Sequence, residues 1–302
     1  TSRVYSVTVN RAPDSNANLA SLGLAELGGS PITLDQLFAA STTMYTVTVP
    51  NAVTHAVTTP VTQSALATMT VGGVTTASGS GATTPLVEGG VTNITVVVTA
   101  QDLTTIKAYV ISVSRMPSAN ATLSALVPSV GTLSPGFSAS VTSYQLNFTE
   151  HGPTSITLTA TTAHSLATLS GAATISGTPS GALAVNAGTQ VYQITVTAQS
   201  GLAVVTTIVI YKAPSTDADL SALTASSGTL VPSFVSSTTG YTVSVPNAVT
   251  QVSLTPTVAI SHSTVTVQGA SVVSGSASSM FSLTSGATTP LSVVVTAQAG
   301  NQ

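Results

Sequence analysis

The tetrapeptide Val98-Thr-Ala-Gln101 occurs three times in this chain of 302 residues, at spacings of 98 and 99, and the other copies are Val196-Thr-Ala-Gln199 and Val295-Thr-Ala-Gln298. Two further landmarks keep the same period. They are the pairs Ser78-Gly79, Ser176-Gly177 and Ser274-Gly275, and an aromatic residue followed seven positions later by tyrosine, Phe38/Tyr45, Phe137/Tyr144 and Phe234/Tyr241. Self-similarity at a fixed period indicates tandem structural units. The sequence therefore predicts three units of about 100 residues.

Within each unit, apolar residues and hydroxyl residues alternate. Tyr45-Thr-Val-Thr-Val49 and Tyr241-Thr-Val-Ser-Val245 are examples, and this period of two is typical of half-buried β-strands. Turn signals such as Gly131-Thr-Leu-Ser-Pro-Gly136 interrupt the runs at intervals expected of a β-sandwich. We therefore predict an all-β chain of immunoglobulin-like sandwiches, with one short helical turn over 34–40.

The composition excludes several classes of protein. Charged residues make up 4% of the chain, the formal net charge is −3, and cysteine is absent. A basic surface for nucleic acid is therefore excluded, as are disulfides and thiolate metal sites. Apolar residues make up 43%, which is enough to fold a core. The longest apolar run, 201–211, is too short to cross a bilayer and is broken by Thr206 and Thr207, so we expect no membrane insertion.

The repeated motifs resemble those of a known family. They are Asn120-Ala-Thr-Leu-Ser-Ala-Leu126, Gly228-Thr-Leu230 before Pro232, Tyr241-Thr-Val-Ser-Val-Pro-Asn247, and the Val-Val-Val-Thr-Ala-Gln run that precedes a last strand. In this order they are similar to the cadherin-like β-sandwich repeat, and the resemblance covers nearly the whole chain. It implies immunoglobulin-type modules in tandem on extracellular or cell-surface proteins, where such modules serve as spacers, stalks or adhesion units.

The ends of the units differ in an informative way. The first two units end in a strand with a basic residue two positions before a proline, Tyr109–Pro117 and Thr206–Pro214. The third unit has no such strand up to Gln302, but Tyr5–Pro13 has its length, alternation, basic residue and proline. We therefore predict an orphan strand over 1–13, sandwich 1 over 14–116, sandwich 2 over 117–213, and sandwich 3 over 214–302 without its last strand.

An exposed sheet edge is a template for another strand. We expect Tyr5, Val7 and Val9 to insert into sandwich 3 of a neighbouring copy. Such head-to-tail donation builds an extracellular filament whose partner is the chain itself. Three alternatives stay open: a repeat of a longer covalent stalk or adhesin, in which Gln302 runs into the next copy; a trimmed fragment; and a carbohydrate-binding module. The last has little aromatic surface, because tryptophan is absent.

Catalytic and metal-binding patterns do not emerge from the sequence. The four histidines His55, His151, His164 and His262 lie in different segments without metal-ligand spacing. Glu150 and His151 are adjacent, so in a strand they would face opposite sides. Gly79-Ser80-Gly81 is interpreted as a structural turn. The junctions 14–18, 118–122 and 216–219 hold too few carboxylates for calcium and are interpreted as polar turns. We expect no enzyme activity, no cofactor and no metal.

Three Asn-x-Ser/Thr sequons are candidate N-glycosylation sites: Asn93, Asn120 and Asn147. Asn93 and Asn147 alternate with inward-facing apolar residues, and Asn120 lies in a linker. All three are therefore expected to point outward. Covalent glycans there, or on the many serines and threonines, would solvate a surface that has few charges.

Overall fold

The computed structural model describes residues 2–300 of the chain, and within this range it consists of strands, bends and turns without a helix. The all-β prediction is confirmed. The predicted helical turn over 34–40 is wrong: these residues form bends and a turn beside Tyr45. No helix in the described residues is long and apolar enough to cross a membrane.

The strands are grouped by the predicted sandwiches. Those of sandwich 1 are β1 Leu19–Glu26, β2 Met44–Val49, β3 His55–Thr62, β4 Thr68–Val71, β5 Val74–Thr75, β6 Ala82–Pro85, β7 Val91–Thr99 and β8 Ile106–Arg115. Those of sandwich 2 are β9 Leu123–Pro128, β10 Ser143–Phe148, β11 Ser155–Ile156, β12 Leu158–Thr162, β13 Thr168–Gly171, β14 Leu183–Ala184, β15 Gly188–Thr197 and β16 Ala203–Lys212. Those of sandwich 3 are β17 Leu220–Ala225, β18 Leu230–Val231, β19 Thr242–Val243, β20 Gln251–Val252, β21 Leu254–Val258, β22 Thr264–Val267, β23 Ala270–Val272, β24 Phe281–Ser282 and β25 Val293–Thr296.

The chain divides into two compact units that do not coincide with the predicted domains. One unit contains Thr1–Thr122, Thr162–Thr168 and Val196–Val204, and the other contains Leu123–Thr161, Leu169–Thr195 and Val205–Gln302. Sandwich 1 belongs wholly to the first unit, and sandwich 3 belongs wholly to the second. The domain boundaries drawn from the sequence stay a prediction.

Sandwich 1 pairs a three-stranded sheet, β1-β3-β6, with a five-stranded sheet, β2-β8-β7-β4-β5. Strand β8 is an interior strand of the larger sheet: it runs parallel to β2, with Met44 opposite Val110, and antiparallel to β7, with Val91 opposite Ser114. The inward residues of all three strands belong to one buried cluster. The last strand of the repeat therefore lies between two other strands, β2 and β7, rather than at the edge of its sheet.

Sandwich 2 repeats this arrangement. Its four-stranded sheet has the order β10-β16-β15-β13, and β10 runs parallel to β16 with Ser143 opposite Thr207. Ile208 and Ile210 of β16 are fully buried. The last strand again lies between two others, β10 and β15.

The aromatic landmark of each repeat is a stacked pair. The ring centroids are 5.9 Å apart for Phe38 and Tyr45, 6.2 Å for Phe137 and Tyr144, and 5.9 Å for Phe234 and Tyr241. Each tyrosine hydroxyl donates to the backbone oxygen of the residue that follows the phenylalanine. This contact holds the preceding loop against the start of β2, β10 or β19.

Candidate functional site: an open strand position in sandwich 3

Within residues 2–300, sandwich 3 has counterparts of the two strands that flank β8 but no counterpart of β8 itself. Strand β25 pairs with β22, and β19 pairs with β18. In sandwich 1 the matching strands, β7 and β2, both pair with β8. Among residues 2–300, no strand joins β19 to β25. We call the gap between them the open position.

The side chains along the open position are less buried than their counterparts. Tyr45 and Tyr144 are 1% and 0% exposed, whereas the equivalent Tyr241 is only half-buried. Val96 and Val98 on β7 are completely buried, whereas Val293 and Val295 on β25 are half-buried. The core of sandwich 3 is therefore open on the side that the last strand covers elsewhere.

The predicted donor residues lie in solvent. Tyr5, Val7 and Val9 are 82%, 84% and 85% exposed, and residues 2–13 form no strand pairing within the described chain. Their counterparts in β8 are Tyr109, Ile111 and Val113, all completely buried. The segment that contains the donor residues is therefore unpaired within residues 2–300.

The basic residues at the ends of the last strands make specific contacts. Arg115 donates from Nε to the backbone oxygen of Asn51 at 2.8 Å and from Nη1 to that of Leu86 at 3.2 Å. Lys212 donates from Nζ to the backbone oxygen of Pro153 at 3.2 Å. The sequence singled out Arg115 and Lys212 by their place two positions before the boundary prolines. It gave no sign that their side chains bind backbone oxygens of the loops after β2 and β10.

At the start of β8, Lys107 donates from Nζ to Asn18 Oδ1 at 2.9 Å and also to the backbone oxygen of Ala40. Tyr109 donates its hydroxyl proton to the same oxygen at 2.9 Å and accepts from the backbone nitrogen of Leu19 at 3.1 Å. The last strand is thus bound at both ends by polar contacts and along its length by apolar burial.

The glutamine of the repeated Val-Thr-Ala-Gln motif was also missed as a functional residue. Its Oε1 accepts from the backbone nitrogen of the first residue after each boundary proline, with distances of 2.9 Å for Gln101 and Asp14, 3.1 Å for Gln199 and Ser118, and 3.2 Å for Gln298 and Ser215. The regular spacing of the motif was the available signal. This contact ties the start of each repeat to its own turn before the last strand.

Glu88, whose backbone oxygen accepts a hydrogen bond from Gln199, also has side-chain partners. Glu88 Oε1 lies 3.0 Å from His164 Nε2 and accepts from Asn51 Nδ2 at 2.8 Å. The Asn51 hydrogen bond is the main reason that the pKa of Glu88 lies below its usual value, and the charges of His164 and Arg115 add to it. These side chains belong to one compact unit.

The prediction for Glu150 and His151 is wrong. Residues 150–151 form a turn rather than a strand, so the two side chains face each other, with Glu150 Oε1 3.4 Å from His151 Nε2. Glu150 also accepts hydrogen bonds from the backbone nitrogen and the hydroxyl of Thr216, and the backbone bond is the main cause of its lowered pKa. The Glu150 carboxylate therefore accepts hydrogen bonds from the first residues of sandwich 3.

The junction oxygens are used to cap backbone nitrogens. Asp14 Oδ1 accepts from Asn16 N at 3.0 Å, Asn120 Oδ1 from Thr122 N at 3.0 Å, and Asp217 Oδ1 from Asp219 N at 2.8 Å. The polar-turn interpretation of these segments is thus what the geometry shows. Within residues 2–300, no three His, Asp or Glu side chains are grouped as metal ligands.

The three sequon asparagines are all exposed. Asn93 accepts at Oδ1 from the Ser112 hydroxyl at 2.8 Å, on the outer face of the larger sheet of sandwich 1. Asn120 accepts from the Thr122 hydroxyl of its own sequon at 2.8 Å. The outward orientation expected from the alternation is therefore present, while glycosylation itself stays a prediction.

A shallow cavity of about 380 Å³ lies on sandwich 1 and is lined by Val71, Val74–Ala77 and Ser80–Thr84. None of these lining residues is aromatic or titratable. Sugar-binding clefts use aromatic rings as stacking surfaces. This cavity offers nothing of that kind to a carbohydrate.

Comparison with known proteins gives a clear family match. The family described as "Cadherin-like beta sandwich domain" matches residues 19–116 and 220–302, which begin at β1 and β17. No curated protein matches the chain.

Several solved structures are similar to the chain at low sequence identity. The fibronectin(III)-like modules of Clostridium thermocellum CbhA are 12% identical, with 60% of this chain and 94% of that chain covered and a TM-score of 0.19. Extracellular cadherin domains 1–4 of protocadherin gamma B7 are 8% identical, with 84% and 74% covered and a TM-score of 0.25. Drosophila N-cadherin EC1-4 is 10% identical, with 78% and 72% covered and a TM-score of 0.22.

Proposed function

The chain belongs to the cadherin-like β-sandwich domain family, and from this premise we propose that it is a non-catalytic structural subunit that polymerises head-to-tail by strand donation into an extracellular filament or surface appendage. Domains of this kind are typically extracellular adhesion or structural repeats. The observation that carries the proposal is the match between the open position of sandwich 3 and the exposed segment 2–13, which has the residue pattern of β8.

The energetics favour a long-lived joint. Insertion of residues 5–9 would bury Tyr5, Val7 and Val9, and each buried apolar side chain contributes roughly 1.5–3 kcal/mol. The inserted strand would also form backbone hydrogen bonds with β19 and β25, as β8 does with β2 and β7 in sandwich 1. Donor and acceptor are different segments of the subunit, so the contact is heterologous, and it propagates as an open chain of subunits when its rotation does not close a ring.

A single substitution tests the proposal. Val7→Asp places a charge where the donor side chain enters the core, whereas Thr8→Asp makes the same change at the neighbouring position, whose counterpart Ser112 lies on the outer face. We expect wild type and Thr8→Asp to form filaments visible by negative-stain electron microscopy, and Val7→Asp to stay monomeric. Filaments formed by Val7→Asp at wild-type yield would overturn strand donation.

The covalent alternative has a separate readout. Native filaments dissolved in full denaturant, with glycans removed, should release a species near 29.8 kDa if the joints are noncovalent. Masses in multiples of this unit would instead identify a repeat of a longer stalk or adhesin, in which the open position is filled by the residues that follow in the same chain.

We also propose that the filament is glycosylated. Asn93, Asn120 and Asn147 are exposed, and charged residues make up only 4% of the chain, against roughly 25–35% on a typical soluble surface. Peptide mapping of native material should find glycan on at least one of these asparagines or on the Thr-rich strands. Unmodified peptides throughout would refute this part of the proposal.

A further inference from the structure

All the basic residues of the chain occupy the last-strand pattern. The five are Arg3, Arg11, Lys107, Arg115 and Lys212. Arg11, Arg115 and Lys212 stand two positions before the boundary prolines Pro13, Pro117 and Pro214, and Arg3 and Lys107 stand ten positions before theirs. Segment 3–11 therefore has a basic residue at both positions where strand β8 has one, with the same separation. Strand β16 has Val204 ten positions before its proline, in place of the first basic residue.

The partner of the first cation also varies between repeats. Lys107 binds Asn18, which lies five positions after Pro13. The equivalent residues of sandwiches 2 and 3 are Thr122 and Asp219. The backbone oxygens of Asn18, Thr122 and Asp219 accept equivalent hydrogen bonds at 2.9 Å, from the backbone nitrogens of Gln63, Ala163 and Ala259 in that order. Each of these donors directly follows the strand that pairs with the first strand of its sandwich. Sandwich 2 has no cation at this place in its last strand, and its partner position is uncharged. Sandwich 3 has an aspartate.

Asp219 is exposed, and its carboxylate has no ion pair or hydrogen bond within residues 2–300. Arg3 is likewise exposed and makes no ion pair in the described chain. Opposite charges placed at equivalent points of a donor and an acceptor fix orientation and register across an interface.

The acceptor of the second cation is conserved between sandwiches 1 and 3. Arg115 binds the backbone oxygens of Asn51 and Leu86. The loop Val49-Pro-Asn-Ala-Val-Thr54 recurs identically as Val245-Pro-Asn-Ala-Val-Thr250, so Asn247 stands for Asn51. Leu283 stands for Leu86, because each donates its backbone N–H to the threonine that ends this loop, at 2.8 Å.

We propose that the donor segment of one copy binds sandwich 3 of the next copy in a single register, in which Arg3 pairs with Asp219 and Arg11 donates to the backbone oxygens of Asn247 and Leu283. Tyr5, Val7 and Val9 then occupy the places that Tyr109, Ile111 and Val113 have in sandwich 1. This inference rests on the proposed function and adds to it the residues that specify the partner as a second copy of this chain.

Other registers are unfavourable for a physical reason. A shift by one residue turns the apolar face of the donor outward, because side chains alternate along a strand. A shift by two residues in either direction carries Arg3 or Arg11 into an apolar core position, where an unpaired charge is strongly disfavoured. Arg3 and Arg11, on either side of Tyr5, Val7 and Val9, therefore exclude shifts in both directions.

Charge reversal on full-length chains tests the pairing. We expect Arg3→Glu and Asp219→Arg each to slow filament assembly about 10-fold at low ionic strength, because each places like charges at the joint. An equimolar mixture of the two variants should assemble at nearly the wild-type rate. In an alternating copolymer every joint is again a pair of opposite charges, either Glu with Arg or Arg with Asp. High salt, near 1 M, should remove the differences by screening.

A matched control and a second variant complete the experiment. Asp35→Arg makes the same charge change at an exposed carboxylate of sandwich 1. This variant should assemble alone at nearly the wild-type rate, and in its mixture with Arg3→Glu the chains that carry the Arg3→Glu change should stay slow to donate, because every acceptor there still has Asp219. The double variant Arg3→Glu with Asp219→Arg in one chain should assemble alone at nearly the wild-type rate, which also shows that the substituted chain folds.

The outcomes separate the register from the proposed function. If Val7→Asp blocks assembly but neither the mixture nor the double variant recovers, the pairing of Arg3 with Asp219 is wrong and strand donation stands. Single variants that assemble at the wild-type rate also refute the pairing. If Val7→Asp assembles normally, strand donation itself fails.

Discussion

Gln199 accepts at Oε1 a hydrogen bond from the backbone nitrogen of Ser118, at 3.1 Å, and donates from Nε2 to the backbone oxygen of Glu88, at 3.3 Å. Ser118 is 5% exposed, so its N–H has no ready access to water as a substitute acceptor. The Gln199 side chain thus connects the linker after Pro117 to the loop of sandwich 1 that contains Glu88.

We predict that Gln199→Ala destabilises the protein by about 1–3 kcal/mol, because it leaves a buried donor unsatisfied. Urea unfolding would measure the loss, and hydrogen exchange at the Ser118 amide should become faster. Gln193→Ala is the matched control, since Gln193 is an exposed glutamine on β15. Equal effects of the two substitutions would contradict the assigned role.

A second prediction concerns pH. The pKa of Glu88 is lowered, first by the Asn51 hydrogen bond. Because the unfolded state binds this proton more readily, Glu88 contributes to stability above its usual pKa of about 4.3, and the contribution disappears as the pH falls through the lower value of the folded state.

Glu88→Gln should therefore lower the urea midpoint at neutral pH and reduce the loss of stability on acidification. Urea midpoints measured from neutral pH to well below 4 would check this. Glu26→Gln serves as a comparison, because Glu26 makes no ion pair in the described chain. A parallel pH dependence of wild type and Glu88→Gln would show that the carboxylate is not the group responsible.

The third prediction contrasts two tyrosines at equivalent positions. Tyr109→Phe removes a buried hydroxyl that donates to Ala40 and accepts from Leu19, so the unfolding free energy should fall by about 1–3 kcal/mol. Tyr5→Phe should leave monomer stability unchanged, because Tyr5 is 82% exposed in the free chain. Thermal unfolding of the two variants in a Val7→Asp background, which we expect to be monomeric, makes the comparison. A loss of monomer stability in Tyr5→Phe would mean that the segment is bound within its own chain.

The fourth prediction concerns Gly228, which precedes β18. Its φ is +77°, and an added Cβ would lie 2.6 Å from Val243 Cγ1 and 2.7 Å from the Ser244 backbone oxygen. Gly228→Ala should therefore destabilise sandwich 3 by about 1–3 kcal/mol. Gly240→Ala is the control, because no atom lies within 4 Å of its added Cβ. Hydrogen exchange resolved to the β18 and β19 amides would distinguish local from global loss; equal exchange in the two variants would rule out the steric effect.

Much of the fold follows from the sequence. The alternation in Tyr45–Val49 correctly predicted which side chains are buried, because adjacent residues of a strand face opposite sides whatever the strand pairs with. The phenylalanine and tyrosine landmark was used only to find the repeat, and the structure shows that the two rings stack in every repeat. Glu150 and His151 were misplaced because the rule of alternation was applied to a turn.

The sequence by itself determined the all-β class, the repeat, the inward residues and the likeness of segment 5–13 to a last strand. These are properties of neighbouring residues and of their recurrence. Only the tertiary structure decided that the last strand lies between β2 and β7, that Gln199 reaches Ser118, and that Lys107 reaches Asn18. Strand order and these hydrogen bonds join residues that are far apart in the chain. Their geometry is set by which strands pair and in what register, so no local pattern encodes it.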